Sequence, residues 1–283
     1  MSEKLLLINP HASRSTSFVV LFRTIFSNLQ LIFQMTRREV LGRYKGSVFG
    51  LVWSLFNPIL MLTIYTFVFA VIFKARWAGT LGDSKLEFAL ILFVGIAVYT
   101  ILADSINQSP SLITNNSNYV KRVVFPLEIL PFISMGSTLF HIGISFMVLI
   151  AGLFLMNGFV SWTIILLPLV LLPLIIFSIG ISWFLASLGV FIPDIRQATG
   201  IFSTALMFLS PIFYPVSALP ERIQQWAFLN PLTFIIEQAR AVLVFGVIPD
   251  WRGLFVYGFF ACCCAWLGFV WFQKTRKGFA DVL

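Results

Sequence analysis

Long stretches without a charged side chain constrain this sequence more than any other feature. Residues 129–193 form a run of 65 positions without Asp, Glu, Lys or Arg. A helix that crosses a bilayer needs about 20 apolar residues, so this run is too long for one crossing and fits two. Only 11% of the whole chain is charged, and a soluble protein with so few charges would expose a largely apolar surface. We therefore expect an all-α integral membrane protein.

The remaining uncharged runs bring the expected number of transmembrane helices to six. The pair within residues 129–193 is expected to break near Asn157 and Gly158. The other four runs cover residues 46–73, 88–103, 197–220 and 253–273, of which 88–103 is the shortest. We expect a six-helix transmembrane domain over residues 46–283, preceded by a cytosolic N-terminal segment over residues 1–45.

The distribution of basic residues predicts the orientation of these helices. If the N-terminus is cytosolic, 13 of the 19 Lys and Arg residues lie on the cytosolic side and 6 on the other. Cytosolic loops are enriched in Lys and Arg, which predicts that both termini are cytosolic. The basic residues flank the uncharged runs and do not form a separate domain. This placement favours contact with anionic lipid over nucleic-acid binding.

The segment 18–45 carries an apolar stripe at helical spacing, through Phe18, Phe22, Ile25, Leu29 and Ile32. Polar side chains recur on a second stripe about 140° away, given 100° per residue. The segment is too polar to cross a bilayer and suits an amphipathic helix that lies along the cytosolic interface. The alternative is a soluble amphipathic helix that packs on another domain.

Residues 217–250 connect the last two crossings and are not a simple polar loop. Asn230 is placed as the N-cap of a helix and Pro231 as its first residue. Glu237 and Arg240, three positions apart, are predicted to pair on one helix face. We expect two short helices that re-enter the membrane and border a pathway, because irregular backbone at that depth must be covered by protein or line a cavity. The alternative is a pair of amphipathic helices that rest on the outer leaflet.

The sequence lacks the motifs of several chemistries. No Gly-Lys pair occurs, so there is no P-loop for ATP. The two histidines, His11 and His141, are far apart, and no metal site is expected. No chain of buried carboxylates is present for proton-coupled transport. Energy must therefore come from another protein, or transport must be passive.

Two further features have open interpretations. Residues 108–122 form a polar segment that is either a solvated connector or a docking surface. The chain also has 32 Phe, 8 Trp and 6 Tyr, most of which are explained by lipid contact and interface belts. Some aromatic rings could instead stack on sugars in a pathway. The candidates are Trp53, Phe56, Tyr65, Tyr99, Phe208 and Tyr214.

Several short motifs are similar to those of a known family. They are Arg37-Arg38-Glu39, residues 43–47 (Arg-Tyr-Lys-Gly-Ser) and 50–58 (Gly-Leu-Val-Trp-Ser-Leu-Phe-Asn-Pro), with support from 125–131, 230–232 and 277–283. Together they resemble the permease of polysaccharide-exporting ABC-2 transporters. Within that family they are most similar to the lipopolysaccharide O-antigen permease. The likeness runs from about residue 20 to the C-terminus.

The resemblance implies an assembly and a substrate. Two copies of the permease would form the pathway in the cytoplasmic (inner) membrane, and two separate ATPase subunits would bind ATP and Mg²⁺. The chain itself would hold no cofactor. The substrate would be a polysaccharide on undecaprenyl diphosphate. Relatives that export teichoic acid or capsular polysaccharide remain alternatives. A membrane enzyme acting on lipid-linked sugars is a further one, although its expected clusters of acidic or histidine residues are not seen in the loops.

The resemblance also implies roles for named residues. The basic set at the membrane interface would meet the lipid headgroup: Arg37, Arg38, Arg43, Tyr44 and Lys45. The segment after the second crossing would carry a coupling helix that docks on the ATPase: Asn115, Asn116, Tyr119, Lys121 and Arg122. The hairpin before the last crossing would act as an outer gate: Pro215, Trp226, Glu237 and Arg240.

Overall fold

The computed structural model describes residues 18–72, 85–121 and 125–283, and every regular element within these ranges is helical. The first six helices are α1 (Phe18–Ser27), α2 (Leu29–Arg43), α3 (Val52–Tyr65, continued by a π-helix over Thr66–Ile72), α4 (Lys85–Leu112), α5 (Ser117–Lys121) and α6 (Leu130–Asn157). The other six are α7 (Leu167–Phe191), α8 (Ile195–Leu209), α9 (Glu221–Ala227), α10 (Pro231–Leu243), α11 (Trp251–Thr275) and α12 (Phe279–Val282).

Among the described residues, five helical segments are long and apolar enough to cross a membrane. They are Val52–Phe69, Glu87–Leu112, Leu127–Asn157, Trp162–Phe191 and Trp251–Val282. The prediction of a multi-pass helical membrane protein is thereby confirmed. So is the break after Asn157, where Gly158 ends α6 with a φ of 74°, a backbone conformation that glycine adopts without strain.

The run 197–220, predicted as a crossing, is not one continuous helix, so the structure does not confirm a count of six. Its helix, α8, has 15 residues and ends at Leu209. Ser210 has extended backbone angles and precedes Pro211, which disfavours helical geometry in the residue before it. A turn and a short 3₁₀-helix over Val216–Ala218 follow.

Helix α4 lies at the centre of the bundle, in contact with α6, α7, α8 and α10. Residues 88–98 of this helix are apolar on every face, as expected for a helix surrounded by others, and Leu90, Ile91 and Leu92 have no exposed surface. The shortest predicted crossing is therefore the helix around which the others pack.

Small residues bring α7 and α11 close together. A Cβ atom added to Gly180 of α7 would lie 2.6 Å from Cα of Ala265 in α11, and one added to Gly268 would meet the backbone of Gly180. Close backbone approach at small residues is the usual way in which helices associate in lipid. This contact packs α7 and α11 tightly against each other, and the C-terminal segment follows directly from α11.

The amphipathic segment predicted over 18–45 forms two helices, α1 and α2, that meet at Asn28. The side-chain amide of Asn28 donates to the carbonyl of Thr24 over 2.7 Å. Helix α2 packs on α6, with the Thr36 hydroxyl donating to the carbonyl of Ile133 over 3.4 Å. Phe22, Phe26 and Phe33 are exposed on the outside of the pair. An apolar row beside the basic residues of α2 suits a helix that lies on a lipid surface.

Candidate functional site

A cavity of about 440 Å³ lies between α3, α4, α6 and the end of α2. Residues on one face of α3 supply one wall, since Ser54, Asn57, Met61 and Tyr65 follow each other at three- to four-residue spacing. Its wall is apolar around Phe93 and Ile142 and polar toward α2. The cavity thus combines an apolar wall with polar groups inside a set of transmembrane helices.

Asp104 is the acidic residue of this cavity. It lies eight residues before the end of α4, which is about 12 Å along a helix. The Thr138 hydroxyl of α6 donates to its Oδ2 atom over 3.2 Å. Within the described ranges its Oδ1 atom has no hydrogen-bond partner in the protein. An ionisable side chain inside a transmembrane bundle is costly and marks a functional site by default.

His141 of α6 contributes a second polar group. The Tyr44 hydroxyl lies 3.3 Å from its Nδ1 atom, and the two rings meet edge to face. Its Nε2 atom is buried and, among the described residues, has no hydrogen-bond partner. A buried polar atom that lacks a partner costs free energy, so the arrangement is not explained by helix packing alone.

The five residues predicted to meet a lipid headgroup divide between two places. Arg43 and Tyr44 line the cavity. Arg37, Arg38 and Lys45 line a separate groove of about 490 Å³ along α2, together with Gln34, Leu41 and Gly42. The half-buried Glu39 of the same helix lines a different cavity, with Asn107 and Gln108 of α4. Burial raises the pKa of its carboxyl, while Arg43 and Arg38 oppose the shift. The groove is thus basic, and among the described residues no acidic side chain lines it.

The segment predicted to couple to an ATPase includes a short helix, α5, at the end of the bundle opposite α9 and α10. The Tyr119 ring stacks on Phe125 with centroids 4.6 Å apart, and Arg38 of α2 donates to the Tyr119 hydroxyl over 3.0 Å. Asn116 caps the preceding turn by donating to the carbonyl of Leu112 over 2.8 Å, and Asn115 is exposed. Arg122 and the side chain of Lys121 lie outside the described residues.

The C-terminal segment holds the chain that follows α5, which sequence reasoning did not predict. Arg276 pairs with Glu128 over 2.6 Å and also donates to the carbonyl of Phe125 over 3.0 Å. Glu128 is 3% exposed, and Trp183 of α7 donates to its backbone carbonyl over 3.0 Å. The available signal was a lone acidic residue in an apolar stretch, Phe125 to Pro131, but it did not identify the partner 148 residues away.

Arg240 attaches the hairpin of α9 and α10 to the bundle. Its side chain is 1% exposed and pairs with Glu237 over 2.9 Å, which confirms the predicted pair. It also donates to the carbonyls of Ile91 in α4, over 3.2 Å, and Ile212, over 3.0 Å. One guanidinium therefore connects α10, α4 and the turn after α8.

The start of α10 is built as predicted. The Asn230 side chain accepts from the backbone N–H of Leu232, and its amide donates to the Ser210 hydroxyl over 2.9 Å. Of the other two residues predicted for a gate, Pro215 is half-buried and Trp226 is 71% exposed.

The six aromatic residues predicted for a pathway do not form one row. Trp53 and Phe56 make an edge-to-face pair at the start of α3, and Tyr65 lies at the apolar end of the cavity. The Tyr99 hydroxyl donates to the carbonyl of Ser203 over 2.9 Å and so joins α4 to α8. Phe208, 61% exposed, belongs to a second cluster near the hairpin, with rings stacked through Phe213 to Phe69. Tyr214 donates to the carbonyl of Phe208 over 3.2 Å.

This chain is similar to known proteins over most of its length. A family model described as "ABC-2 type transporter" matches residues 30–244. The chain is 22% identical to the O-antigen export system permease protein RfbA of Myxococcus xanthus, over 92% of this chain and 98% of that protein. It is 27% identical to the protein of the same name from Klebsiella pneumoniae, over 89% and 95%. It is 24% identical to the polysialic acid transport protein KpsM of Escherichia coli, over 85% and 91%.

Proposed function

This chain belongs to the ABC-2 type transporter family, and we propose that it is the transmembrane permease subunit of an ATP-driven exporter of lipid-linked polysaccharide. The observation that carries the proposal is similarity over nearly the full length to permeases named for O-antigen export and polysialic acid transport. The family assigns the chain to transport and not to catalysis.

The substrate proposed here is an O-antigen type polysaccharide carried on undecaprenyl diphosphate. The relatives named for O-antigen export support the choice of polysaccharide. A capsular polysaccharide is the second candidate, since one relative is named for polysialic acid transport. The basic groove beside α2 and Arg43 at the cavity supports a phosphate-bearing substrate, because arginine binds phosphate through paired hydrogen bonds.

The proposed location is the cytoplasmic membrane, with both termini in the cytosol. The excess of Lys and Arg on the side of α2 and α5 supports this orientation. The sixth crossing would be completed by α8 and the turn that follows it, up to residue 220. In this orientation α9 and α10 lie on the outer side as re-entrant helices, and Arg240 holds them against α4.

A second copy of this chain is the proposed partner in the membrane. Helices α3 and α8 support this, because both leave large apolar side chains exposed, among them Phe56, Ile64, Ile201 and Phe208. Pairing of these faces would place exposed aromatic rings of two copies along one pathway. Sugars passing along it could stack on the rings and keep their hydroxyl groups in water.

Two separate ATPase subunits are the proposed energy source, and they would bind ATP and Mg²⁺. The absence of a P-loop in this sequence supports a division of labour between chains. The proposed docking site is α5 with the turn before it. Contacts from α2, through Arg38, and from α12 support α5 as a point where force on one helix would reach several others.

The proposal is tested in a strain in which the gene for this chain is deleted. We expect loss of surface polysaccharide and accumulation of lipid-linked polymer inside the cell, both reversed by this chain. The composition of the accumulated polymer would identify the substrate. Loss of polymer without accumulation would contradict export and favour a role in synthesis.

Replacing Tyr119 tests whether α5 transmits force from the ATPase. Tyr119→Ala removes the ring that stacks on Phe125, and aromatic pairs of this kind contribute about 1 kcal/mol. We expect export per ATP hydrolysed to fall about fivefold. Tyr119→Phe keeps the ring and loses only the hydroxyl, so its export per ATP hydrolysed should fall less. Asn118→Ala is the matched control, since Asn118 is exposed on the same helix. Equal export by Tyr119→Ala and the control would contradict the docking role.

A further inference from the structure

The cavity between α3, α4 and α6 contains more polar chemistry than helix packing in a membrane requires. Its lining includes the side chains of Asn57, Thr100, Asp104, His141 and Ser145. Buried polar side-chain atoms usually have a hydrogen-bond partner in the protein. Here Oδ1 of Asp104 and Nε2 of His141 find no partner among the described residues. The lining therefore offers hydrogen-bonding atoms to something that enters the cavity.

The shape and composition of the lining point to the class of ligand. A lipid chain would place hydrocarbon against Asp104 and Asn57 and leave both without hydrogen bonds, which is costly. A free phosphate would meet the carboxylate of Asp104. A sugar fits both features, because its hydroxyl groups donate to a carboxylate and an amide oxygen, and its carbon–hydrogen faces pack on aromatic rings. Trp53 supplies such a ring at the cavity wall.

The position of Arg43 adds a second element. Its side chain is exposed and lines the end of the cavity next to Tyr44, whereas Asp104 is half-buried. A sugar held by Asp104 and Asn57 would thus place a phosphate attached to it toward Arg43. The cavity volume of about 440 Å³ is within the range of small-molecule sites, which runs from about 300 to 1,000 Å³.

We propose that this cavity binds the sugar nearest the lipid anchor of the substrate. Asp104 accepts hydrogen bonds from its hydroxyl groups, and the Asn57 amide both accepts from them and donates to them. Trp53 packs on the apolar face of the sugar, and Arg43 pairs with the adjoining phosphate. The inference rests on the proposed function, since it assumes a sugar joined to a lipid through phosphate. It assigns Asp104, Asn57 and His141 to substrate recognition, in a place distinct from the basic groove of α2.

The test compares two probes on the purified exporter with its ATPase subunits. One probe is the lipid-linked polymer extracted from the deletion strain, and the other is undecaprenyl diphosphate without sugar. Each stabilises the complex against heat to an extent that depends on its concentration and dissociation constant, which gives a binding measurement independent of transport. The variants are Asp104→Asn and Asn57→Leu. Asp194→Asn is the matched control, because Asp194 is exposed and its side chain does not cap α8.

We expect the wild-type complex to bind the polymer more tightly than undecaprenyl diphosphate. Asp104→Asn should weaken polymer binding about tenfold, because a hydrogen bond to a charged group is replaced by one to a neutral group. Asn57→Leu should weaken it about fivefold, the size expected for loss of a hydrogen bond between neutral groups. Binding of undecaprenyl diphosphate should change less than about twofold in both variants.

Three results would overturn the inference. The first is equal binding of both probes by the wild type, and the second is an unchanged preference for polymer in both variants. The third is an equal loss of affinity for both probes in the variants, which would assign the cavity to the lipid anchor or to the fold. If the proposed function itself is wrong, the result is different, because no lipid-linked polymer would then accumulate in the deletion strain.

Discussion

Replacing Arg240 with Met is expected to loosen the attachment of the hairpin of α9 and α10 to α4 and to the turn after α8. The change removes the hydrogen bonds to Glu237, Ile91 and Ile212 from a side chain that is 1% exposed. The two backbone carbonyls and the carboxylate would lose a charged donor at once. Glu237 is 37% exposed and can meet water, so the cost comes mainly from the two carbonyls. Loss of a hydrogen bond to a charged donor costs about 1.5–3 kcal/mol, and two such losses are a large part of the stability of an ordinary domain.

The measurement is thermal unfolding of the purified permease in detergent, together with ATP-driven export. Arg240→Met should unfold at a markedly lower temperature and lose export, while still being inserted in the membrane. Arg222→Met is the matched control, because Arg222 is exposed on α9 of the same hairpin. Equal unfolding temperatures for Arg240→Met and Arg222→Met would show that the guanidinium does not hold the hairpin.

Gly95→Ala disturbs the same contact from the opposite side. A Cβ atom at position 95 would lie 3.0 Å from the Nη2 atom of Arg240 and 3.3 Å from Cα of Ile212. Both distances are tighter than ordinary contacts, so the guanidinium or the turn must shift. We expect a loss of stability in the same direction and smaller than in Arg240→Met. Because the arginine stays in place, this variant separates crowding at the joint from removal of the charge.

The features predicted correctly from sequence depend on residues close together in the chain. Asn230 and Pro231 form a cap because a side-chain oxygen needs to reach only the N–H two positions on. Glu237 and Arg240 pair because three positions on a helix bring side chains to one face. Gly158 breaks a long uncharged run because glycine adopts positive φ without cost. In each case the determining interaction is complete within a few residues.

The features missed from sequence depend on residues far apart. Arg240 reaches a carbonyl of Ile91, 149 positions away, and any residue type offers the same carbonyl. Asp104, His141 and Asn57 were visible as single polar residues in apolar stretches, but nothing in the pattern showed that three helices bring them to one cavity. The end of α8 at Leu209 was not predicted either, because an uncharged run indicates which residues lipid can surround and does not indicate where a helix ends.

Arg276→Gln is the second change with a large expected effect, because it leaves Glu128 buried without the guanidinium that pairs with it. The cost should lie near the lower end of the 3–5 kcal/mol seen for broken buried pairs, about 3 kcal/mol, since Arg276 itself is partly exposed. The pair joins the segment after α5 to the end of α11, and α11 is packed closely on α7. We therefore expect ATP hydrolysis to continue while export per ATP falls, because the side-chain link from the segment after α5 to α11 would be lost and only the contact of Trp183 with the Glu128 carbonyl and the packing of α12 on α5 would remain.

A double-mutant cycle separates this pair from general damage at the same end of the protein. Glu128→Gln removes the buried charge, so adding Arg276→Gln to it should cost much less than Arg276→Gln costs alone. Lys274→Gln is the matched control, as it removes an exposed positive charge two residues earlier. Additive losses of stability in the cycle would show that the two residues act independently. A normal ratio of export to hydrolysis in Arg276→Gln would show that the pair stabilises the fold without carrying force. If the ratio falls and the cycle is not additive, the C-terminal segment is a working part of the exporter and not only its anchor.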